Sequence, residues 1–282
     1  MTPVRRVGLA FNPTKPAAVE LCEQAIRWCE ELGLGQWSAP AADLETLRAE
    51  LPRTDVLVVL GGDGTFLLTA RALVEVDVPV IGVNLGKVGF LSRVEAAELE
   101  MILGQLREGR YELEERMVLE GRILRGGQPA PAERYVALND VVVARGALAR
   151  VVRLDVQIDG THLATFIADG LVVASPTGST GYSFSSGGPI VDPRSRNLVV
   201  TPIAGYLSAI RSIVVGPDQV VRCRVVEALQ ALVSIDGRDD VPLSIGDVVE
   251  VRAIDRPIRI VVPVGSQPFW DLLRRKVELL PS

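Results

Sequence analysis

The stretch with the clearest capacity for chemistry is Gly61-Gly62-Asp63-Gly64-Thr65, a carboxylate among three glycines directly after the apolar run Val56-Leu57-Val58-Val59-Leu60. Glycines admit backbone angles that side chains disfavour, and they let a bulky anion approach the main chain. A helix beginning near Phe66 would aim its unpaired N–H groups and positive dipole end at that anion. A carboxylate repels phosphate unless it holds a cation or takes a proton, so Asp63 is a candidate for chemistry as well as binding. The plain alternative is a glycine turn closing one strand-helix unit, with Asp63 capping the helix.

Two further stretches carry candidate residues. Asn84-Leu85-Gly86-Lys87-Val88-Gly89-Phe90 is a second glycine loop. It is not a P-loop, because Gly82 and Gly86 are one residue too close and Val88 replaces the magnesium-binding hydroxyl. Lys87 is a candidate phosphate contact, or simply a solvated loop lysine. Much later comes Asp169-Gly170 with Ser175-Pro176-Thr177-Gly178-Ser179-Thr180-Gly181-Tyr182-Ser183, continuing through Ser185, Ser186, Gly187 and Gly188. Its hydroxyls suit ribose and phosphate oxygens, and Tyr182 offers a ring for a base to stack on. The competing reading is a serine-rich surface loop.

The elements that position these residues follow from periodicity. Val7 to Phe11 reads as a strand, Ala17 to Leu32 as a helix stopped by Gly33, and Asp43 to Leu51 as a second helix ended by Pro52. Asp55 to Leu60 is the strand before the first glycine loop, and Phe66 to Val74 is a helix. Val78 to Val83 is a strand, and Ala96 to Glu108 is a helix ended by Gly109. This alternation implies a parallel sheet covered on both faces, with ligands at the carboxyl ends of its strands. From Tyr111 to about Val262 the pattern turns to short alternating strands. The hairpin Val152 to Ile167 turns at Asp159-Gly160, Asp236-Gly237 is a similar turn, and Val248 to Val251 and Ile258 to Val262 supply further strands. Arg125 to Pro131 reads as an exposed loop. Phe269 to Leu280 returns to helical spacing and is expected to pack back on the first domain. The expected division is an α/β domain of residues 1–112 plus 264–282 and a β-rich domain of residues 113–263.

Composition bounds the function class. The chain has 282 residues, 48% hydrophobic and 23% charged, as in ordinary globular proteins. A net charge of -5 and the lack of a basic cluster argue against nucleic acid or an anionic membrane as partner. No apolar run reaches membrane-spanning length. Cys22, Cys29 and Cys223 lack metal or redox spacing and read as small core residues, which fits a reducing cytoplasm. His162, the only histidine, reads as an ordinary strand residue.

Over nearly its whole length the chain resembles the NAD kinases. The resemblance rests on Gly61 to Thr65, on Asn84 to Phe90 with Leu91, on Asn139-Asp140 after Ala137-Leu138, and on Asp169-Gly170 with Pro176 to Tyr182. It implies a Rossmann-like α/β domain joined to a β-sandwich, assembled as a homodimer or homotetramer. It also implies transfer of a phosphoryl group from ATP or inorganic polyphosphate, with Mg2+ or another divalent cation, to the adenosine-ribose 2′-hydroxyl of NAD. Asp63 would accept the hydroxyl proton. Gly61, Gly62, Gly64, Thr65 and Lys87 would form the phosphate loop. Asn139 and Asp140 would hold the adenine end, and Asp63, Gly64, Phe90, Asp169, Thr177, Thr180, Gly181, Tyr182, Ser185 and Arg238 would line the rest of the NAD site.

Several positions depart from the family pattern. Asp140 stands where a glutamate is usual, Ala168 where a glycine is common and Gly181 where an alanine is usual. Gly205-Tyr206, within Thr201 to Ser208, replaces proline-histidine, and Arg238 replaces a glutamine. The alternatives are a lipid kinase of the same superfamily, which needs an apolar acceptor pocket, and a non-catalytic dinucleotide-binding regulator.

Overall fold

The computed structural model describes residues 1–86, 89–128, 132–147, 150–206 and 210–278. Lys87, Val88, the end of the loop at Pro129 to Pro131, Leu207, Ser208 and Leu280 lie outside the described residues. The chain divides into two units, Met1–Glu115 with Ile258–Ser282, and Arg116–Pro257.

The first unit alternates β1 (Arg6–Phe11), α1 (Pro16–Glu31), β2 (Gly35–Pro40), α2 (Leu44–Glu50), β3 (Val56–Leu60), α3 (Asp63–Leu73), β4 (Val80–Asn84), the short β5 (Val94–Glu95) and α4 (Leu99–Arg107). Strands β2, β1, β3 and β4 lie side by side and parallel. Strands β3 and β4 are buried along their whole length, as both faces of such a sheet must be. The apolar face of α1 buries Leu21, Cys22, Ala25 and Cys29, and burial raises both thiols above the ordinary range. Gly33, at φ +68°, ends the helix in a conformation that costs a side-chained residue energy.

Strand β2, in Gly-Gln-Trp-Ser-Ala-Pro, has no counterpart among the expected elements; its backbone pairs with β1, and Trp37 is buried with its indole N–H donated to Thr54 Oγ1 at 2.8 Å. Helix α3 begins at Asp63 instead of near Phe66, so Asp63 occupies the first helical position.

The second unit is antiparallel. The chain enters it through β6 (Tyr111–Leu124) and continues as β7 (Glu133–Ala137), β8 (Asp140–Arg145), β9 (Val152–Ile158), β10 (Thr161–Ala168) and β11 (Gly170–Ala174). After the short helix α5 (Tyr182–Ser185) come β12 (Leu198–Ile203), β13 (Ile213–Val215), β14 (Val221–Glu227), β15 (Ala231–Ile235), β16 (Arg238–Leu243) and β17 (Val248–Pro263). One sheet runs β10, β9, β14, β17, and the other β13, β12, β11, β8, β15, β16. Val141, Val143, Leu171 and Val173 from one sheet share a core with Leu154, Val156, Cys223 and Val249 from the other. Both Asp-Gly turns have positive φ at each residue, as a two-residue hairpin turn requires.

The expected strands Val248 to Val251 and Ile258 to Val262 are one continuous strand. It changes neighbours, pairing with β14 through Val248–Val251 and with β4 at Ile260. Pro257, which has no N–H to donate, lies between the two pairings. The chain ends in α6 (Phe269–Glu278), whose Phe269 ring lies 6.0 Å from that of Phe90 in the first unit. No helix among the described residues is long and apolar enough to cross a membrane.

Candidate active site

In the first unit the glycine loop closes β3 onto α3 by contact. Gly61 lies so close to Thr65 that a Cβ would overlap its side chain, and Thr65 is buried. Among the described residues Gly61, Gly62 and Gly64 are not in the positive-φ region. Close approach, not unusual dihedral angles, therefore explains Gly61. At Gly62 no heavy atom lies within 4 Å of where a Cβ would stand.

Asp63 does not cap its own helix. Its Oδ2 accepts the backbone N–H of Phe90 at 2.8 Å, and its Oδ1 accepts those of Leu91 at 3.1 Å and Ser92 at 2.9 Å. Gly89 is packed against the carboxylate so closely that any Cβ would overlap it. Each carboxylate oxygen offers about two lone-pair positions; among the described residues Oδ1 accepts two hydrogen bonds and Oδ2 one. The Phe90 ring is partly buried beside Phe269 and beneath the Lys276 ammonium, 4.6 Å from the ring centroid.

In the second unit the two remaining motifs interlock. Ser175 N–H donates to Asn139 O at 2.8 Å, Ser175 Oγ donates to Leu138 O, and Gly178 N–H donates to Ser175 Oγ at 3.2 Å. Gly178 lies against the Asn139 backbone with no room for a Cβ. Several hydroxyls expected to face a nucleotide are instead turned inward: Ser175, Ser179 and Ser183 are fully buried and bonded to Leu138 O, Pro176 O and Thr201 Oγ1. Thr180 Oγ1 donates to Thr177 O, and Thr177 Oγ1 is buried without a partner among the described residues. Gly181, Tyr182 and Ser185 are exposed.

A cavity of about 370 Å³ opens beside this block, lined by Asn139, Asp140, Val142, Ala144, Tyr182, Leu232, Ser234, Asp236 and Gly237. Asp140 is only 5% exposed, and its carboxyl is pushed up to about 7, chiefly by burial and secondarily by the negative charge of Asp236. Arg238 follows Gly237 at the start of β16. Asp169 lies after β10, where Arg145 Nε contacts its Oδ1 at 2.7 Å.

Two residues of this site escape sequence reasoning. Asp236 was legible only as a turn residue, yet its carboxylate accepts the N–H groups of Leu138, Asn139 and Asp140 at 2.9, 2.8 and 3.0 Å and so shapes the segment that presents Asn139. Arg145 ends an ordinary apolar strand and carries no local signal for its pairing with Asp169.

Residues 7–111 match the family model described as the ATP-NAD kinase N-terminal domain, and residues 138–262 match that of the ATP-NAD kinase C-terminal domain. The NAD kinase of Heliobacterium modesticaldum is 40% identical over 280 residues, covering 96% of this chain and 98% of that protein. That of Symbiobacterium thermophilum is 39% identical over 281 residues, with the same coverage. Among solved structures, an NAD kinase from Archaeoglobus fulgidus in complex with ATP superposes with a TM-score of 0.77 at 25% identity, covering 98% of this chain and 100% of that one. Yeast NADH kinase complexed with NADH gives 0.85 at 24% identity, covering 100% and 89%, and supports the fold.

Proposed function

The chain belongs to the NAD kinase family and is an enzyme that phosphorylates NAD, and from that premise we propose that the phosphoryl group goes to the adenosine-ribose 2′-hydroxyl, giving NADP, with ATP or inorganic polyphosphate as donor. The observation that carries the acceptor assignment is the cavity of about 370 Å³ bounded by Asn139, Asp140 and Tyr182. Its walls at Val142, Ala144 and Leu232 suit the faces of an adenine ring, and its polar rim at Asn139, Asp140 and Ser234 suits the ring's edge. Thr177, with its unpartnered hydroxyl, and Thr180, Gly181, Ser185, Asp169 and Arg238 complete the NAD-binding set in this reading.

The donor belongs to the first unit. Gly61, Gly62, Gly64, Thr65 and Lys87 form its phosphate loop, where main-chain N–H groups at the start of α3 meet phosphate oxygens. Asp63 Oδ2, which accepts a single hydrogen bond among the described residues, takes the proton of the 2′-hydroxyl. The hydroxyl oxygen bonds to the terminal phosphorus as the bond to the leaving phosphate breaks, and the displaced phosphate departs with that electron pair. Such general-base assistance contributes about 10²- to 10⁴-fold.

Among the described residues no group of three or more His, Cys, Asp or Glu side chains is gathered to hold a metal. The divalent cation, magnesium in this proposal, would enter with the donor and spread the charge of its phosphates. A cytoplasmic location and a homodimeric or homotetrameric assembly complete the reading.

The experiment is a donor assay. Purified protein with NAD, magnesium and either ATP or polyphosphate should yield product bearing a 2′-phosphate, identified by its competence with an NADP-dependent dehydrogenase. Product phosphorylated elsewhere, or none with either donor, would refute the proposal. Light scattering decides the assembly.

A further inference from the structure

The contacts around Phe90 lead beyond the residues that touch substrate. We propose that Lys276 and Phe269, on the C-terminal helix α6, are positioning residues that hold the Asp63 carboxylate in its working orientation by fixing Phe90. This rests on Asp63 being the proton acceptor, as proposed above.

Phe90 is held at three points. Its N–H is donated to Asp63 Oδ2 at 2.8 Å, the oxygen that accepts one hydrogen bond among the described residues. Its carbonyl accepts from Arg93 Nε at 3.1 Å, and Arg93 is itself paired with Glu114 at 3.4 Å. Its ring lies under the Lys276 ammonium at 4.6 Å and beside Phe269 at 6.0 Å, with Phe269 set edge-on to Trp270 at 4.9 Å. An ammonium over a ring face is attracted by the ring's negative quadrupole, and a tilted aromatic pair is attracted for the same reason. Helix α6 is anchored by buried Leu272. The ring contacts therefore restrain rotation of the 90–92 segment, whose N–H groups are the described partners of the Asp63 carboxylate.

No feature of the glycine motifs requires this arrangement. Asp63 and Phe90 are 27 residues apart, and α6 comes at the far end of the chain. The helix thus acts on the reaction through a ring and a peptide group, without touching the reacting atoms.

The test uses the full chain with Lys276→Met, which keeps side-chain length and removes the charge, Lys276→Arg, which keeps the cation, and Phe269→Leu. Thermal melts establish that each variant is folded. Readouts are kcat, KM for NAD, and amide hydrogen exchange at Phe90, Leu91 and Ser92. Lys276→Met and Phe269→Leu should each lower kcat by roughly three- to tenfold, the scale of one lost ring contact, with KM for NAD changed less than about twofold. Exchange at the three amides should accelerate, and Lys276→Arg should restore both readouts. In an Asp63→Asn background, Lys276→Met should cause no further loss. Wild-type kcat and exchange in both Lys276→Met and Phe269→Leu would overturn the proposal, as would a change confined to KM or a kcat loss that adds to that of Asp63→Asn. Near-normal turnover in Asp63→Asn alone would instead reject Asp63 as the base, a result separable from the exchange data.

Discussion

Gly178 rests directly on the carbonyl group of Asn139, with no space between them for a single carbon atom. Through this contact and the Ser175 hydrogen bonds, residues 137–140 and 175–182 are one surface folded from two distant stretches, so a change in either should be felt by the other.

Gly178→Ala should therefore disturb both. The obstruction is backbone, which cannot swing aside as a side-chain tip can, and overpacking of this kind costs about 1–3 kcal/mol. The expected outcome is a lower Tm together with a raised KM for NAD. Gly181→Ala is the contrast: its φ is -98°, and its Cβ would lie 3.3 Å from Gly178 O and 3.9 Å from Asp140 Oδ2. It should keep Tm closer to the parent than Gly178→Ala does, and a loss of Tm as large as that of Gly178→Ala would count against the steric account.

Asp63→Asn should reduce kcat by about 10²-fold or more while NAD binding, measured by calorimetry, changes little. The structure adds a second consequence. An amide NH2 cannot accept hydrogen bonds, so one face of the 90–92 segment loses its acceptor, and amide exchange there should quicken in the same variant. Near-parent turnover would reject the role of base, and unchanged exchange would reject the fastening.

The Asp140 carboxyl gives a pH dependence with a definite sign. Its value in the folded chain is about 7 against 3.8 for an unperturbed group. Between about pH 4 and 7 the folded state binds more protons than the unfolded state, so this group makes stability fall as pH rises through that window. Its unfavourable contribution is complete above about pH 7 and absent below about pH 4. Urea unfolding of the parent and Asp140→Asn across this range should show the slope flattened in the variant. Parallel profiles would contradict the assignment.

Asp236→Ala should impair NAD binding although Asp236 is not among the residues that the resemblance assigns to the NAD site. Three backbone N–H groups lose their acceptor, and a buried donor left unsatisfied costs about 1–3 kcal/mol. The KM for NAD should rise about tenfold or more, with the far-UV spectrum retained. An unchanged KM would show that the 138–140 segment is shaped without it.

Much of this protein is legible in its sequence because local physics suffices there. Alternating strands and helices up to Arg107, the Asp-Gly turns at 159–160 and 236–237, and the glycine blocks flanking Asp63 and Thr177 are short-range patterns. Each records what the backbone needs within a few residues. The family, and with it the kinase activity, follows from those same blocks.

What the sequence left undecided depends on partners far along the chain. Strand β2 forms because β1 offers it a backbone edge, not because its residues favour a strand. Ser175, Ser179 and Ser183 read as ligand-facing hydroxyls and proved to be internal struts, since only packing tells which side of a loop faces solvent. Asp63 read as a carboxylate beside a phosphate loop. Tertiary structure alone directed its lone pairs to the N–H groups of Phe90, Leu91 and Ser92, because hydrogen-bond partners are chosen by proximity in space.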